Sequence, residues 1–286
     1  MSKTKALISG IGAVPIVLLG GSFAARMLFN RKVDKEVEAL FEKVESGYRK
    51  ISEEDLDGLP GAVRRWIENS GVKERGDIKA VRLKQNAEMR LAEGKPWMPV
   101  RAEQYFISHQ PGFIWKADIR MAPFVHISGR DKYDEARGNM LIKVLSLFTA
   151  ADSSGPEIDQ GTMLRYLAET IWFPSAALND YIIWTTIDEN NAEATMTYGD
   201  VSATGVFTFN SNGDPTHFEA ERYGDFDGEM RLETWAIPLK SYREFDGVRV
   251  PTEGEVTWKL DSGDFNWFNF EVVEIEYDNP HPYHSR

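Results

Sequence analysis

From Ile78 onward, apolar and polar residues alternate along the chain. In residues 113–121 the odd positions are all apolar and three of the four even positions are charged, as a strand with one buried face requires. Similar runs predict roughly a dozen strands, and short Gly, Pro, Asn and Asp clusters between them are typical of hairpin turns. These runs lie at 80–91, 99–108, 125–133, 139–148, 181–187, 192–198, 202–209, 216–223, 231–237, 253–260 and 267–277.

Helical periodicity interrupts this alternation at only a few places. Apolar residues at helical spacing predict helices over 33–47 and 60–69, and a crossover helix over 159–171 with Asp159 as its N-cap. The predicted fold class is therefore mainly β (α+β). A long antiparallel meander forms a strongly curved sheet or open half-barrel, with the N-terminal helices and the crossover helix against it. We expect a helical segment at 33–72, a β domain at 73–278 and a flexible tail at 279–286.

The N-terminal stretch 6–28 is apolar except for Ser9, Ser22 and Arg26. As a helix it would be roughly 35 Å long, against about 30 Å for the hydrocarbon core of a bilayer. It predicts a single-pass membrane anchor within residues 1–32. Basic residues flank it on both sides, so the side of the membrane on which the body lies stays open. The alternative is a cleaved signal peptide, for which Ser22-Phe23-Ala24 supplies small residues three apart.

Charge and composition narrow the possible partners. The chain carries 33 Lys and Arg against 45 Asp and Glu, a net charge of −12, and this acidic balance argues against nucleic acid. The absence of cysteine excludes thiol catalysis, thiolate zinc sites and disulfides.

Two predicted strands, 140–148 and 265–273, are apolar on both faces. One face of such a strand packs on a helix or another layer, and the other face needs a second cover. That cover is either ordinary core or an apolar ligand held in the concavity of the sheet. In the second case, the strand tryptophans would line the hollow: Trp115, Trp184, Trp235, Trp258 and Trp267.

Arg165 and Glu169 stand four residues apart on the predicted crossover helix, with Tyr166 beside Arg165. If this helix faces the hollow, Arg165 would hold an anionic head group and Tyr166 would lie next to it. The alternative is a surface ion pair that contributes a few tenths of a kcal/mol, about the usual value for such a pair.

Three carboxylates precede or open this helix: Asp152, Glu157 and Asp159. They are explained by a capped helix N-terminus or, alternatively, by a cation site or an acid/base pair. The five histidines have no metal-binding spacing, and neither a GxSxG elbow nor a phosphate-binding loop follows a predicted strand. We therefore predict no catalytic residue outside the acidic cluster, no metal site and no cofactor.

Two segments resemble known families. Residues 242–251, a strand end, an Asp-Gly turn and a Pro-started strand, resemble the late hairpin of the outer-membrane lipoprotein carrier superfamily. That resemblance implies a half-barrel sheet with helices closing over an apolar cavity for acyl chains. Residues 152–161, 165–169 and 172–174, with 112–115 and the helix after Leu59, resemble an uncharacterised family of prokaryotic proteins with one N-terminal membrane helix. This second resemblance covers about residues 55–278 and implies no activity.

These observations predict a membrane-anchored, β-rich binding or carrier module for an apolar or amphipathic, lipid-like ligand. One alternative is a membrane-associated enzyme that uses Asp152, Glu157 and Asp159. Another is a scaffold that docks a partner protein, whose identity the sequence leaves open.

Overall fold

A computed structural model of the chain describes the backbone of residues 3–283 and the side chains of residues 20–283. Within this part, thirteen strands pair into one antiparallel sheet. They are β1 Ala80–Met89, β2 Met98–Ile107, β3 Gly112–Ala122, β4 Val125–Asp134, β5 Arg137–Val144, β6 Phe148–Ser153, β7 Ile182–Thr186, β8 Asn191–Tyr198, β9 Val201–Phe209, β10 Pro215–Phe226, β11 Glu229–Phe245, β12 Val248–Leu260 and β13 Gly263–Tyr277. The predicted mainly β fold and its long antiparallel meander are confirmed.

The helices are α1 Lys3–Phe41, α2 Gly61–Asn69, α3 Val72–Arg75 and α4 Pro156–Glu169. Short 3₁₀ helices cover Glu54–Leu56, Thr170–Trp172 and Pro174–Leu178. Successive side chains of a strand point to opposite faces of the sheet, so both faces can hold a helix. Helix α1 packs on β2, β3 and β4 on one face, and α4 packs on the other face.

The sheet curls around α4. Its strand order is β6-β5-β4-β3-β2-β1-β13-β12-β11-β10-β9-β8-β7, and α4 contacts β4 and β5 near one end of this order and β8, β9 and β10 near the other. One helix can reach both groups only if the sheet is strongly curved. An ion pair of 2.9 Å between Arg137 on β5 and Asp200 at the β8–β9 turn joins the two sides. Strands β6 and β7 have no pairing with each other among the described residues, so the half-barrel is open.

The helix predicted over 33–47 is the C-terminal part of α1 and ends at Phe41. No Gly or Pro lies between residues 22 and 41, so nothing in the sequence interrupts the helix before the predicted segment begins. Val33, Val37 and Leu40 are buried against the sheet, which confirms the predicted apolar stripe.

The predicted membrane span, 6–28, falls mostly on residues 1–19, which lie outside the residues whose side chains are described. Across the described part of the chain, no helix combines the length and the apolar character that a membrane crossing needs.

Two local expectations differ from the structure. Helix α4 begins at Pro156, with Gly155 at the N-cap position, rather than at Asp159, because Pro156 has the backbone angle that starts a helix. Asp159 is therefore wrong as the N-cap and lies in the first turn. At the C-terminus, a flexible tail was expected over 279–286, but Tyr283 is buried and its backbone N–H donates to the Tyr105 hydroxyl. Residues 284–286 lie outside the described residues.

Candidate functional site

A cavity lies between the concave face of the sheet and the C-terminal half of α4. Its volume is about 220 Å³. Its walls are mainly apolar, with Met89 on β1, Trp115 and Ile119 on β3, Ile142 on β5, and Phe268 and Phe270 on β13. Five polar side chains also reach it: Gln85, Asp131, Arg165, Glu169 and Arg222.

The two-sided strands account for the space. On β5, Leu141 packs in the cluster beneath α1, whereas its neighbours Met140 and Ile142 point the other way and line the cavity. Each face of β5 thus has a different cover, as the sequence predicted. On this concave side, the cover is α4 together with the cavity.

An ion-paired cluster forms the polar wall of the cavity. Arg165 donates from Nε to Glu169 Oε1 at 2.9 Å and from Nη1 to Asp131 Oδ2 at 2.6 Å. Gln104 Nε2 donates to the other Glu169 oxygen at 2.7 Å. The guanidinium also lies 5.0 Å from the ring centroids of Phe113 and Trp115, within cation–π range.

Burial sets the protonation behaviour of this cluster. Burial alone would lower the pKa of Arg165, but its attraction to Glu169 and Asp131 outweighs that effect, and the net pKa shift is upward. Burial raises the pKa of Glu169, and its bonds to Arg165 and Gln104 offset only part of that rise. Arg165 is therefore already engaged by two carboxylates, so it is poorly placed to hold a further anion.

Arg222 on β10 is the second cation of the cavity, and it has no such partner. Its Nε donates to the carbonyl of Gly161 on α4 at 3.2 Å, and the guanidinium stacks 4.8 Å from the ring centroid of Trp235. Among the described residues, no carboxylate oxygen lies within 4.0 Å of it. Burial, followed by repulsion from Arg165, lowers the pKa of Arg222 to about 10, so it stays cationic at neutral pH.

The tryptophans of the cavity differ in how their indole N–H groups are used. Trp115 donates to Gln85 Oε1 and Trp172 donates to the carbonyl of Pro251, both at 3.1 Å. The buried Nε1 atoms of Trp235 and Trp267 have no hydrogen-bond partner among the described residues. Buried donors are nearly always paired in folded proteins, so these two are open to an acceptor that the protein itself does not supply.

The structure brings together four of the predicted binding residues: Trp115, Arg165, Trp235 and Trp267 all line the cavity. The other three lie outside the lining of the cavity. Tyr166, on α4, is buried and donates to the Ile107 carbonyl. Trp184 packs on Trp66 and Phe207 and donates to the Ala177 carbonyl. Trp258 packs on Phe226, with Arg222 on its ring.

The three predicted acidic residues do not converge. Asp152 on β6 accepts from Asn139. Asp159 accepts from the backbone N–H of Gly138 at 2.6 Å and from Arg137 at 3.3 Å, and it thereby fixes α4 to β5. Glu157 lies in the first turn of α4. No group of three or more metal-ligating side chains occurs within residues 20–283.

The sequence analysis missed Arg222. The available signal was its position on β10, since it shares the inward parity of Phe218 and Ala220. A charged residue at an inward position of a strand is rare unless it has a partner or a role. Trp172 was also missed as a cavity residue, and nothing in its local pattern separates it from ordinary core. Phe268 and Phe270 lie on the predicted two-sided strand 265–273, but they were not singled out as lining residues.

The fold and the site together define a class of protein in which an open, curved antiparallel sheet holds an apolar cavity under a crossover helix. The chain belongs to DUF6544, a family of unknown function whose pattern matches residues 49–270. The resemblance to an uncharacterised family agrees with this membership. None of the curated proteins compared with the chain matches it.

Several solved structures are similar at low identity. A DUF1329 family protein from Desulfovibrio piger is 10% identical with a TM-score of 0.44, over 76% of this chain and 92% of that one. A putative outer membrane lipoprotein-sorting protein domain from Vibrio parahaemolyticus is 9% identical with a TM-score of 0.39, over 76% and 94%. A LolA superfamily protein from Nitrosomonas europaea is 12% identical with a TM-score of 0.40, over 75% and 91%.

Proposed function

We propose that this chain is a membrane-anchored binding or carrier module for an apolar or amphipathic ligand such as a lipid. The observation that carries the proposal is the cavity of about 220 Å³ between the sheet and α4. Protein interiors are close-packed, and few voids exceed the size of a water molecule. A space this large under a single helix is more room than packing defects leave.

The lining of the cavity favours an apolar occupant over water. A buried water molecule needs a cavity of roughly 10–15 Å³ and two to four polar partners. The walls made by Ile119, Ile142, Phe268 and Phe270 offer no such partners, and the polar side chains are gathered on the α4 and β10 sides. An acyl chain or a similar apolar group would gain from burial against these walls at roughly 25 cal/mol per Å².

The course of α1 supports a membrane on one side of the body. Phe41, at its C-terminal end, packs on Tyr105, close to the β2–β3 turn. Ser22, midway along the helix, donates to the Leu145 carbonyl in the β5–β6 turn. The helix then continues from Ser22 toward Lys3. Because it has 39 residues and rises about 1.5 Å per residue, it is much longer than the strands on which it packs.

Several exposed apolar side chains lie at the edge of the sheet that contains the β5–β6 turn. The turns β1–β2, β3–β4, β5–β6 and β10–β11 share this edge in an antiparallel meander. In or beside them, Leu91, Phe124, Phe148 and Met230 are exposed, and Phe124 reaches 84% exposure. Such side chains suit contact with a bilayer surface. We infer that this turn edge faces the membrane to which α1 anchors the body.

The experiment that tests the binding function uses the full chain and two matched variants. Ala168 is buried on α4 and lines the cavity, so Ala168→Phe fills part of it. Ala39 is exposed on α1, so Ala39→Phe makes the same change outside the cavity. Each protein is purified in a non-ionic amphipathic polymer, and bound lipid is detected by native mass spectrometry and by solvent extraction.

We expect wild type and Ala39→Phe to carry about one equivalent of an apolar or amphipathic molecule, and Ala168→Phe to carry several-fold less. Uptake of the neutral fluorescent probe N-phenyl-1-naphthylamine should follow the same order. A wild-type chain that carries no such molecule and takes up no probe would contradict the proposed function.

A further inference from the structure

We propose that Arg222 and the indole N–H of Trp235 form a subsite for the anionic head of an amphiphile whose apolar tail occupies the cavity. This inference rests on the proposed function and specifies the chemical class of the ligand. The shared chemistry is a carboxylate or phosphate group attached to an alkyl or acyl chain.

Arg222 has hydrogen-bond donors that the described residues do not use. Only its Nε donates to a described residue, at the Gly161 carbonyl, and both Nη atoms make no hydrogen bond within the described part of the chain. Glu233 lies directly across from Arg222 in the β10–β11 register, but its nearest cation is Arg231, at 3.6 Å. Guanidinium groups bind carboxylate and phosphate through paired N–H donors, and these are the donors left free.

The neighbouring indole of Trp235 offers a further unused donor. Trp235 is 4% exposed, lines the cavity and stacks beneath Arg222, yet its Nε1 has no partner among residues 20–283. An anion on Arg222 would bring acceptor oxygens to the side of the cavity where this donor lies. The satisfied N–H groups of Trp115 and Trp172 show that the fold does supply partners to other tryptophans of the same cavity.

Arg222 differs from Arg165, the residue that the sequence predicted to hold a head group. Arg165 is held by Asp131 and Glu169 at 2.6 and 2.9 Å, so an added anion would be repelled by two carboxylates. Arg222 approaches the cavity from β10 instead, between α4 and the ring of Trp235. The apolar walls on β3, β5 and β13 complete a site with one cationic end and a long apolar side.

The experiment measures displacement of bound N-phenyl-1-naphthylamine from the full chain in a non-ionic amphipathic polymer. Because this probe is neutral, it does not compete for the charge of the head group, and the affinity of each competitor is calculated with the probe affinity measured for that variant. The competitors are dodecanoate, dodecyl phosphate and 1-dodecanol, which share one tail, together with acetate and inorganic phosphate, which have none. The variants are Arg222→Met, Arg222→Lys, Trp235→Phe and the exposed control Arg101→Met on β2.

For wild type and Arg101→Met, we expect the two anionic amphiphiles to bind about tenfold or more tightly than 1-dodecanol, the range of a hydrogen bond to a charged group. Arg222→Met should remove this preference, taken as the ratio of the affinity of each anionic amphiphile to that of 1-dodecanol measured with the same variant. Arg222→Lys should keep part of the preference, because its charge remains. The ratio between dodecanoate and dodecyl phosphate identifies which head the subsite prefers.

Each contrary result has a separate meaning. If wild type binds all three dodecyl compounds equally, or if Arg222→Met and wild type keep the same preference, the subsite is overturned while the binding function stands. If inorganic phosphate or acetate displaces as well as its dodecyl counterpart, the site is a small-anion site and the amphiphile is wrong. If wild type binds no probe, the proposed function itself fails. If Arg222→Met does not fold, the subsite is tested by the preference of wild type for the anionic amphiphiles over 1-dodecanol and by the change of that preference in Arg222→Lys and Trp235→Phe.

Discussion

Removing Arg165 should destabilise the protein more than removing any exposed arginine. Its guanidinium makes ion pairs with Asp131 and Glu169, whose side chains are 20% and 11% exposed, and its own side chain is 16% exposed. In Arg165→Met, these two carboxylates would face each other without a cation. Breaking a buried ion pair by deleting one partner typically costs about 3–5 kcal/mol, and the lost contacts with Phe113 and Trp115 act in the same direction.

A second substitution measures how much of this loss of stability comes from the uncompensated charges. Glu169→Gln in the Arg165→Met background removes one of the two uncompensated charges and keeps an acceptor for Gln104. We expect it to restore about 1–2 kcal/mol, whereas the same change in wild type should not stabilise the protein by that amount at neutral pH.

The assay is equilibrium urea unfolding of the full chain at pH 7, followed by tryptophan fluorescence, with Arg101→Met as the control. The control should change the free energy of unfolding by no more than about 0.5 kcal/mol. An Arg165→Met variant as stable as that control would refute the reasoning, because the three side chains would then not form a coupled buried cluster.

Two further predictions follow from the structure. The pKa of Glu169 is raised above its ordinary value of 4.5, chiefly by burial, so the folded state holds this proton more tightly than the unfolded state. Its contribution to stability is therefore greatest below pH 4.5 and is lost as pH rises through the raised pKa. The free energy of unfolding of wild type relative to Glu169→Gln, followed by urea titration from pH 4 to 8, should accordingly fall with increasing pH. A flat difference would show that the pKa of Glu169 is the same in the folded and unfolded states, and a rising difference would show that folding lowers it; either result would contradict the prediction. For membrane contact, the chain has no cysteine, so Phe124→Cys and Asn212→Cys each give one labelling site, at opposite edges of the sheet. With an environment-sensitive fluorophore on full chain reconstituted in vesicles, emission should shift to the blue at position 124 and stay water-like at 212. Equal emission at the two positions would contradict the proposed orientation.

Most strands could be predicted from the sequence because apolar residues on one face alternate with polar residues on the other. In β3, Trp115, Ala117 and Ile119 face the main core, while Lys116 and Asp118 lie on the opposite face and pair with Asp34 and Arg26 of α1. The start of α4 was placed three residues late because Asp159 has the chemistry of an N-cap, whereas it binds the Gly138 N–H across to β5. Such a long-range use of a carboxylate leaves no local signal.

The candidate site was predictable in kind but only partly in its residues. Strands that are apolar on both faces indicated a second cover, and Trp115, Trp235 and Trp267 do line the cavity. Trp184 and Trp258 have the same local pattern but pack outside the cavity, Trp258 within the core and Trp184 against it. What separates them is the curl of the sheet around α4, a property of contacts between strands far apart in the sequence.

The most direct measurement of the central claim is a crystal structure of the full chain with a bromine-labelled dodecanoate, read through the anomalous signal of the bromine. The account predicts a bromine peak among Ile119, Ile142 and Phe268, with the carboxylate at Arg222. A bromine found only on the outer surface, with the cavity walls closed on one another, would contradict it.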